Sequence, residues 1–101
     1  MPTAYITAPN NGAKRLAELL VEERLAACVN RFPCTSVYRW EGEVVHDEEV
    51  VLLAKTTEAA WEALVARVED EHPYDVPCIE RFDESAMTDP FATWIREEVD
   101  G

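Results

Sequence analysis

Apolar residues change their spacing several times along the chain, and each change predicts an element. Tyr5 to Ala8 is a short mixed run that stops at Pro9-Asn10-Asn11-Gly12, turn formers whose asparagines suit a helix N-cap, so it predicts a brief first strand. From Ala13 to Leu25 the apolar positions Leu16, Ala17, Leu20 and Val21 recur at helical spacing among Lys14, Arg15, Glu18 and Glu22, which predicts an amphipathic helix with one buried face. Ala26 to Trp40 is strand-like but interrupted by Pro33, which has no N–H for a ladder and is tolerated on an edge or at a bulge; the second strand is placed at an edge. Glu41-Gly42 reads as a tight turn that returns the chain through Val44-Val45 and Val50 to Ala54 as a hairpin partner. The run Val50-Val51-Leu52-Leu53-Ala54 is apolar without alternation, as in a strand covered on both faces in the middle of a sheet. A second helix spans Thr57 to Glu71, with Trp61, Leu64, Val65 and Val68 on one stripe. His72-Pro73-Tyr74-Asp75-Val76-Pro77 forms a loop, because each proline biases the residue before it away from helix. Cys78 to Phe82 predicts a last strand. Thr88-Asp89-Pro90 caps a third helix carrying Phe91, Trp94, Ile95 and Val99 on one side.

The order strand, helix, strand, strand, helix, strand, helix is the plan of an α+β protein: a ferredoxin-like βαββαβ unit with an antiparallel sheet and an additional C-terminal helix, spanning 1–101 as one domain. Right-handed crossovers put strand three inside the sheet and strands two and four outside. Two exposed edges are a liability, and pairing them with other copies of the chain is the natural way to cover them, so a homo-oligomer is expected.

Charge narrows the partners. The chain has 21 Asp and Glu against 9 Lys and Arg, a formal net charge of −12, which repels phosphate backbones and argues against nucleic acid. Lys14 and Lys55 are its two lysines, the remaining bases being arginines; so Lys-poor and acid-rich a surface points to a protein working in high salt, that is, to a halophilic source. No apolar run approaches the roughly 18 residues of a membrane helix, and the N-terminus lacks the basic and apolar regions of a secretory signal, so a cytoplasmic protein with no membrane partner is expected. Cys28, Cys34 and Cys78 form no C-x-x-C pair and are expected as free thiols, Cys28 as core filler.

Enzymatic patterns are missing: there is no G-x-S-x-G, no H-E-x-x-H, no Gly-rich phosphate loop, and only two histidines. A non-enzymatic role is expected, since His72 and Tyr74 as an acid and base pair would lack a further positioned group. His46 lies in the acidic hairpin segment, where a solvated charged face is the simpler reading. His72-Pro73-Tyr74 is stiffened by its prolines and holds an imidazole and a phenol near a helix end, with Cys78 six residues on. Imidazole with thiolate favours copper or zinc, yet two ligands do not close a site, so a carboxylate, water or neighbouring subunit must complete it. The competing reading makes His72 a helix C-terminal cap and Cys78 a packed sheet residue. Lys55 emerges at the end of the central strand, to pair with a carboxylate or meet an anion, pairing being the commoner fate.

The segments Leu25-Ala26-Ala27-Cys28-Val29-Asn30, Ser36-Val37-Tyr38-Arg39-Trp40-Glu41-Gly42, Lys55-Thr56-Thr57 and His72-Pro73-Tyr74-Asp75-Val76-Pro77, with Trp94 near the end, together resemble the CutA family of divalent-cation tolerance proteins along nearly the whole chain. The resemblance implies a ferredoxin-like homotrimer assembled through strand edges, and a copper or other divalent cation as the one candidate cofactor. By position it implies His72 as a metal ligand, with Cys78 standing where many relatives have Glu, and Ile6 where some carry a further cysteine. A second function consistent with the resemblance is a signalling trimer similar in fold to the PII regulators, holding a small ligand in an intersubunit cleft near Lys55, Trp40 and Tyr74.

Overall fold

Seven elements follow one another: β1 (Pro2–Pro9), α1 (Asn10–Glu22), β2 (Cys28–Trp40), β3 (Glu43–Lys55), α2 (Trp61–Glu71), β4 (Ile79–Asp83) and α3 (Asp89–Val99). The computed structural model describes all residues from 1 to 101. The four strands form one antiparallel sheet in the order β2-β3-β1-β4, so β3 lies inside and β2 and β4 are the edges, as the crossover rule requires.

Several boundaries differ from the sequence expectation. β1 is eight residues rather than a brief run, because it is flanked by β3 and β4 and its whole length finds ladder partners. Pro33 does not interrupt β2, which runs unbroken for 13 residues with Pro33 opposite Val50. An edge strand leaves half of its N–H groups without a ladder partner, so a proline there can be absorbed with no lost bond. β3 is likewise continuous across its acidic middle, paired throughout with β2. Helix α1 starts directly after Pro9, with no side-chain cap from either asparagine, and α2 begins only at Trp61. Thr57 instead organises the turn before α2: its hydroxyl accepts from the Ala60 N–H at 3.2 Å and donates to Asp100 at 2.8 Å.

The core lies on one face of the sheet. Ala4, Ile6 and Ala8 of β1 with Leu52 and Ala54 of β3 meet Ala13, Leu16, Ala17, Leu19 and Leu20 of α1 and Leu64 and Val68 of α2. Strand period two assigns these residues to one face, and the many alanines let the helices approach the sheet closely. Arg67 of α2 ties the helices together outside the core, bonding Glu23 at 2.9 and 3.0 Å and Glu71 at 2.6 Å, while Arg15 of α1 reaches Glu71 at 2.6 Å. Helix α3 buries Ala92 and Ile95 and is tethered by Arg24, which donates to the Glu98 carbonyl at 2.9 Å.

The opposite face, turned away from α1 and α2, carries Tyr5 and Thr7 of β1, Val51 and Leu53 of β3, Phe32, Cys34, Ser36, Tyr38 and Trp40 of β2, and Glu80 and Phe82 of β4, by strand alternation from the observed registers. Tyr5 and Phe82 have ring centroids 5.5 Å apart. β1 pairs with β3 only as far as Glu49, so beyond that point β2 and β3 continue as a two-stranded ribbon with no third strand. On this ribbon Val37, Tyr38, Trp40 and Val44 are exposed. Its turn takes positive φ at both central residues, 50° at Glu41 and 82° at Gly42, the geometry that matches the twist of a hairpin.

Candidate functional site

A cavity of about 620 Å³ opens between the β2–β3 ribbon and the proline-bearing loop after α2. Its position follows from local sequence rules. Ser36, Tyr38 and Trp40 stand at alternate positions of β2 and therefore share the face from which Tyr5 and Thr7 of β1 project. The loop contributes Pro73, Tyr74, Asp75 and Val76, kept out of helix by the two prolines, and Cys78 and Glu80 close the β4 side.

His72 ends α2: its N–H reaches the Val68 carbonyl at 2.8 Å. The imidazole is buried and both ring nitrogens are engaged by backbone. Nε2 lies 2.7 Å from the Thr7 carbonyl, which can only accept, so Nε2 carries the proton; Nδ1 accepts the Tyr74 N–H at 3.1 Å. The ring thus latches the loop to β1, with the Tyr74 ring 4.9 Å away. The Tyr74 hydroxyl donates to Glu49 Oε2 at 3.3 Å. Burial, then the nearby Glu49 charge, pushes the Tyr74 phenol up to about 12. Glu49 is only 5% exposed, an unusual setting for a carboxylate. Tyr38 repeats the arrangement on the ribbon, donating to Asp47 at 3.1 Å.

The Cys78 thiol is half-buried and lies 3.6 Å from Glu80 Oε1. Burial raises its pKa, the Thr7 hydroxyl opposing and Glu80 adding to the shift. No three His, Cys, Asp or Glu side chains of one chain converge at metal-site spacing. His72 and Cys78 both border Thr7, but Cys78 lines the cavity while His72 sits behind it.

Of the three residues expected around a ligand cleft, the structure brings Trp40 and Tyr74 together and leaves Lys55 apart within one chain. Lys55 ends β3 opposite Cys28 and Thr3, and at about 3.3 Å per residue it lies about 40 Å along the strand from Glu43, the partner of Trp40. It makes no ion pair, so the expected pairing with a carboxylate is corrected; the arginines take the carboxylates instead. His46 is exposed on the ribbon. Tyr5, Tyr38 and Glu80 were missed as site residues. Tyr38 was within reach of sequence reasoning, because it shares the period-two face of Trp40, whereas the positions of Tyr5 and Glu80 depend on strand order.

Known proteins agree with this architecture. The model of the family described as CutA1 divalent ion tolerance protein matches residues 3–98. The divalent-cation tolerance protein CutA of Thermus thermophilus is 49% identical over 96 residues, covering 93% of each chain. That of Pyrococcus horikoshii is 38% identical over 100 residues and covers 98% of each. Among solved structures, CutA1 from P. horikoshii superposes with a TM-score of 0.94 at 37% identity, covering 98% of both chains. A protein from Nostoc sp. PCC 7120 described as PII-like protein CutA gives 0.95 at 34% identity, covering 98% of this chain and 97% of the other. The ferredoxin-like order, the ribbon, the H-P-Y loop and these matches over almost every residue lead to one conclusion: the chain belongs to the CutA1 divalent ion tolerance family.

Proposed function

We propose that this protein acts in divalent-cation tolerance as a non-enzymatic cytoplasmic homotrimer, in which Cys78, with His72 and a carboxylate, takes a soft ion such as copper at the sheet edge. The observation that carries the reading is the Cys78 thiol 3.6 Å from the Glu80 carboxylate beside the His72 loop. Thiolate and imidazole select copper or zinc over magnesium or calcium. Because one chain supplies too few converging donors, a neighbouring subunit completes the site. The trimer draws support from two free strand edges and from the exposed Phe32, Tyr38, Trp40 and Phe82 on the sheet face away from α1 and α2. Engaging His72 requires one of its backbone bonds to open, and release of the Tyr74 N–H from Nδ1 is the smaller change because that nitrogen carries no proton.

The test is calorimetric titration of the assembled protein with copper, zinc and cobalt, comparing wild type with His72→Ala and Cys78→Ala. The expected result is saturable binding at about one ion per subunit, weakened by both substitutions. Since a ligating thiol must lose its proton and burial raises the Cys78 pKa, affinity should climb as pH rises. Binding unaffected by either substitution would remove this site from consideration.

A second reading is favoured by the cavity itself: a PII-like signalling trimer that holds a small ligand against Trp40 and Tyr74, with Lys55 arriving from the next subunit. A ligand-dependent rise in melting temperature that survives a chelator would select it over the metal reading.

A further inference from the structure

Two cysteines stand on the two open edges of the sheet. Cys34 lies in β2 and Cys78 directly precedes β4, and both are half-buried free thiols. They share a face: Cys34 alternates with Phe32 and Ser36 on the side away from α1 and α2, and the Cys78 thiol meets Thr7 on that same side. Neither has a short hydrogen bond, Cys34 Sγ lying 3.8 Å from Ser36 Oγ and Cys78 Sγ 3.6 Å from Glu80 Oε1. Within one chain β3 and β1 stand between them, a separation of about 14 Å at the usual strand spacing, too far for one ion to reach both thiols.

A closed trimer changes that separation. An edge paired with its own kind closes as a two-fold dimer, so a three-fold ring must join unlike edges, β2 of one copy to β4 of the next. Rotation about the ring axis carries no translation along it, so with strands running near that axis, residues at similar heights meet. The heights of the two thiols are close: Cys34 pairs with Glu49, Glu49 pairs with Pro9, and the Thr7 that touches Cys78 is two residues earlier, about 7 Å along the strand. One strand spacing then separates the two edges.

We propose that the partner subunit's Cys34 is the donor that completes the Cys78 metal site, so that each β2–β4 boundary of the trimer holds one soft cation between two thiolates, with Glu80 as a third donor. This rests on the metal reading above and names the residue that the neighbouring chain supplies. Both thiols release their protons to solvent as the ion binds, and no electron changes hands. Paired thiolates strengthen the preference for zinc-like and cuprous ions over magnesium or calcium, and one position of a tetrahedron is left for His72.

The experiment uses the full-length assembled protein in high salt, titrated with cobalt(II) alone. Thiolate-to-cobalt absorption follows binding, and X-ray absorption counts the sulfur ligands. Wild type should show two sulfurs per cobalt. Cys34→Ser and Cys78→Ser should each remove one sulfur and weaken binding at least about tenfold, with circular dichroism and sedimentation verifying that each variant is folded and assembled. The decisive sample is a mixed assembly of the two variants, co-expressed and purified through a tag on one of them. No chain in it carries both cysteines, yet one boundary per mixed trimer joins an intact Cys34 to an intact Cys78, so the two-sulfur site should return. Its failure to return would overturn the proposal. Cobalt held through Cys78 and unaffected by Cys34→Ser would overturn it while leaving the metal reading in place, and absence of thiolate absorption in wild type would overturn both.

Discussion

Single side chains decide whether the loop after α2 stays in place. His72 spends both ring nitrogens on backbone, and truncation would leave the Thr7 carbonyl and the Tyr74 N–H without partners behind the cavity wall. Each stranded group costs about 1–3 kcal/mol, so His72→Ala should lower unfolding free energy by about 2–4 kcal/mol in denaturant titration even with metal excluded. A loss under about 0.5 kcal/mol would mean the latch does not hold in solution. Tyr74 gives a pH signature. Its folded pKa is raised from 10 to about 12, so the neutral phenol is the form the fold favours. Its contribution is therefore complete below pH 10 and is lost as pH climbs towards about 12, and Tyr74→Phe should flatten that alkaline loss. Glu71 acts at the other end of the scale. Arg15, then Arg67, lowers its pKa below the ordinary 4.5, so its contribution is present above that value and disappears on acidification.

At the scale of elements, the ribbon made by the outer halves of β2 and β3 is the part least supported from within the chain. A two-stranded hairpin without a third strand is marginal in water, so its turn matters more than usual. Glu41 holds φ 50° and Gly42 φ 82°, and a side chain at Gly42 would be strained although space is open. Gly42→Ala should destabilise the ribbon by about 1 kcal/mol, while Glu41→Asn should stabilise it by a similar amount, because asparagine tolerates the left-handed region better than glutamate. Amide hydrogen exchange along residues 35–48 would register both changes locally. The inner halves behave differently: Leu52, fully buried between Ile6 and the helices, should cost about 2–5 kcal/mol when cut to alanine.

Over the whole molecule, charge and exposed apolar surface pull in opposite directions. A net charge of −12 on each chain repels other copies, while Phe32, Tyr38, Trp40 and Phe82 on one sheet face and the open edges of β2 and β4 attract them. Salt weakens the first effect and leaves the second, since charges are screened within about 10 Å at 0.1 M ionic strength. Sedimentation across a salt series should therefore show association strengthening, and melting temperature rising, as ionic strength increases. A monomer that persists in molar salt would contradict the homotrimer.

Periodicity determined the element order, while Pro33 placed β2 at an edge and the crossover rule with the apolar run Val50 to Ala54 placed β3 inside; the helix faces were legible only in part, since Val21 of α1 and Phe91 and Trp94 of α3 are exposed although each was expected on its helix's apolar stripe. The H-P-Y loop and Trp40 were also legible, the one from its prolines and the other from its place beside a tight turn. Strand ends were not, since β1 and the middle of β3 gain their length from partners distant in sequence. Nor could sequence reveal that His72 has both nitrogens occupied, that Glu49 is buried under Tyr74, or that Lys55 stands far from Trp40. Those facts depend on which strands become neighbours and in what register, and a register is a property of two segments at once. Tertiary structure therefore decided the cavity, by setting Tyr5 and Glu80 opposite Tyr38, Trp40 and Tyr74 across a sheet whose order no single segment contains.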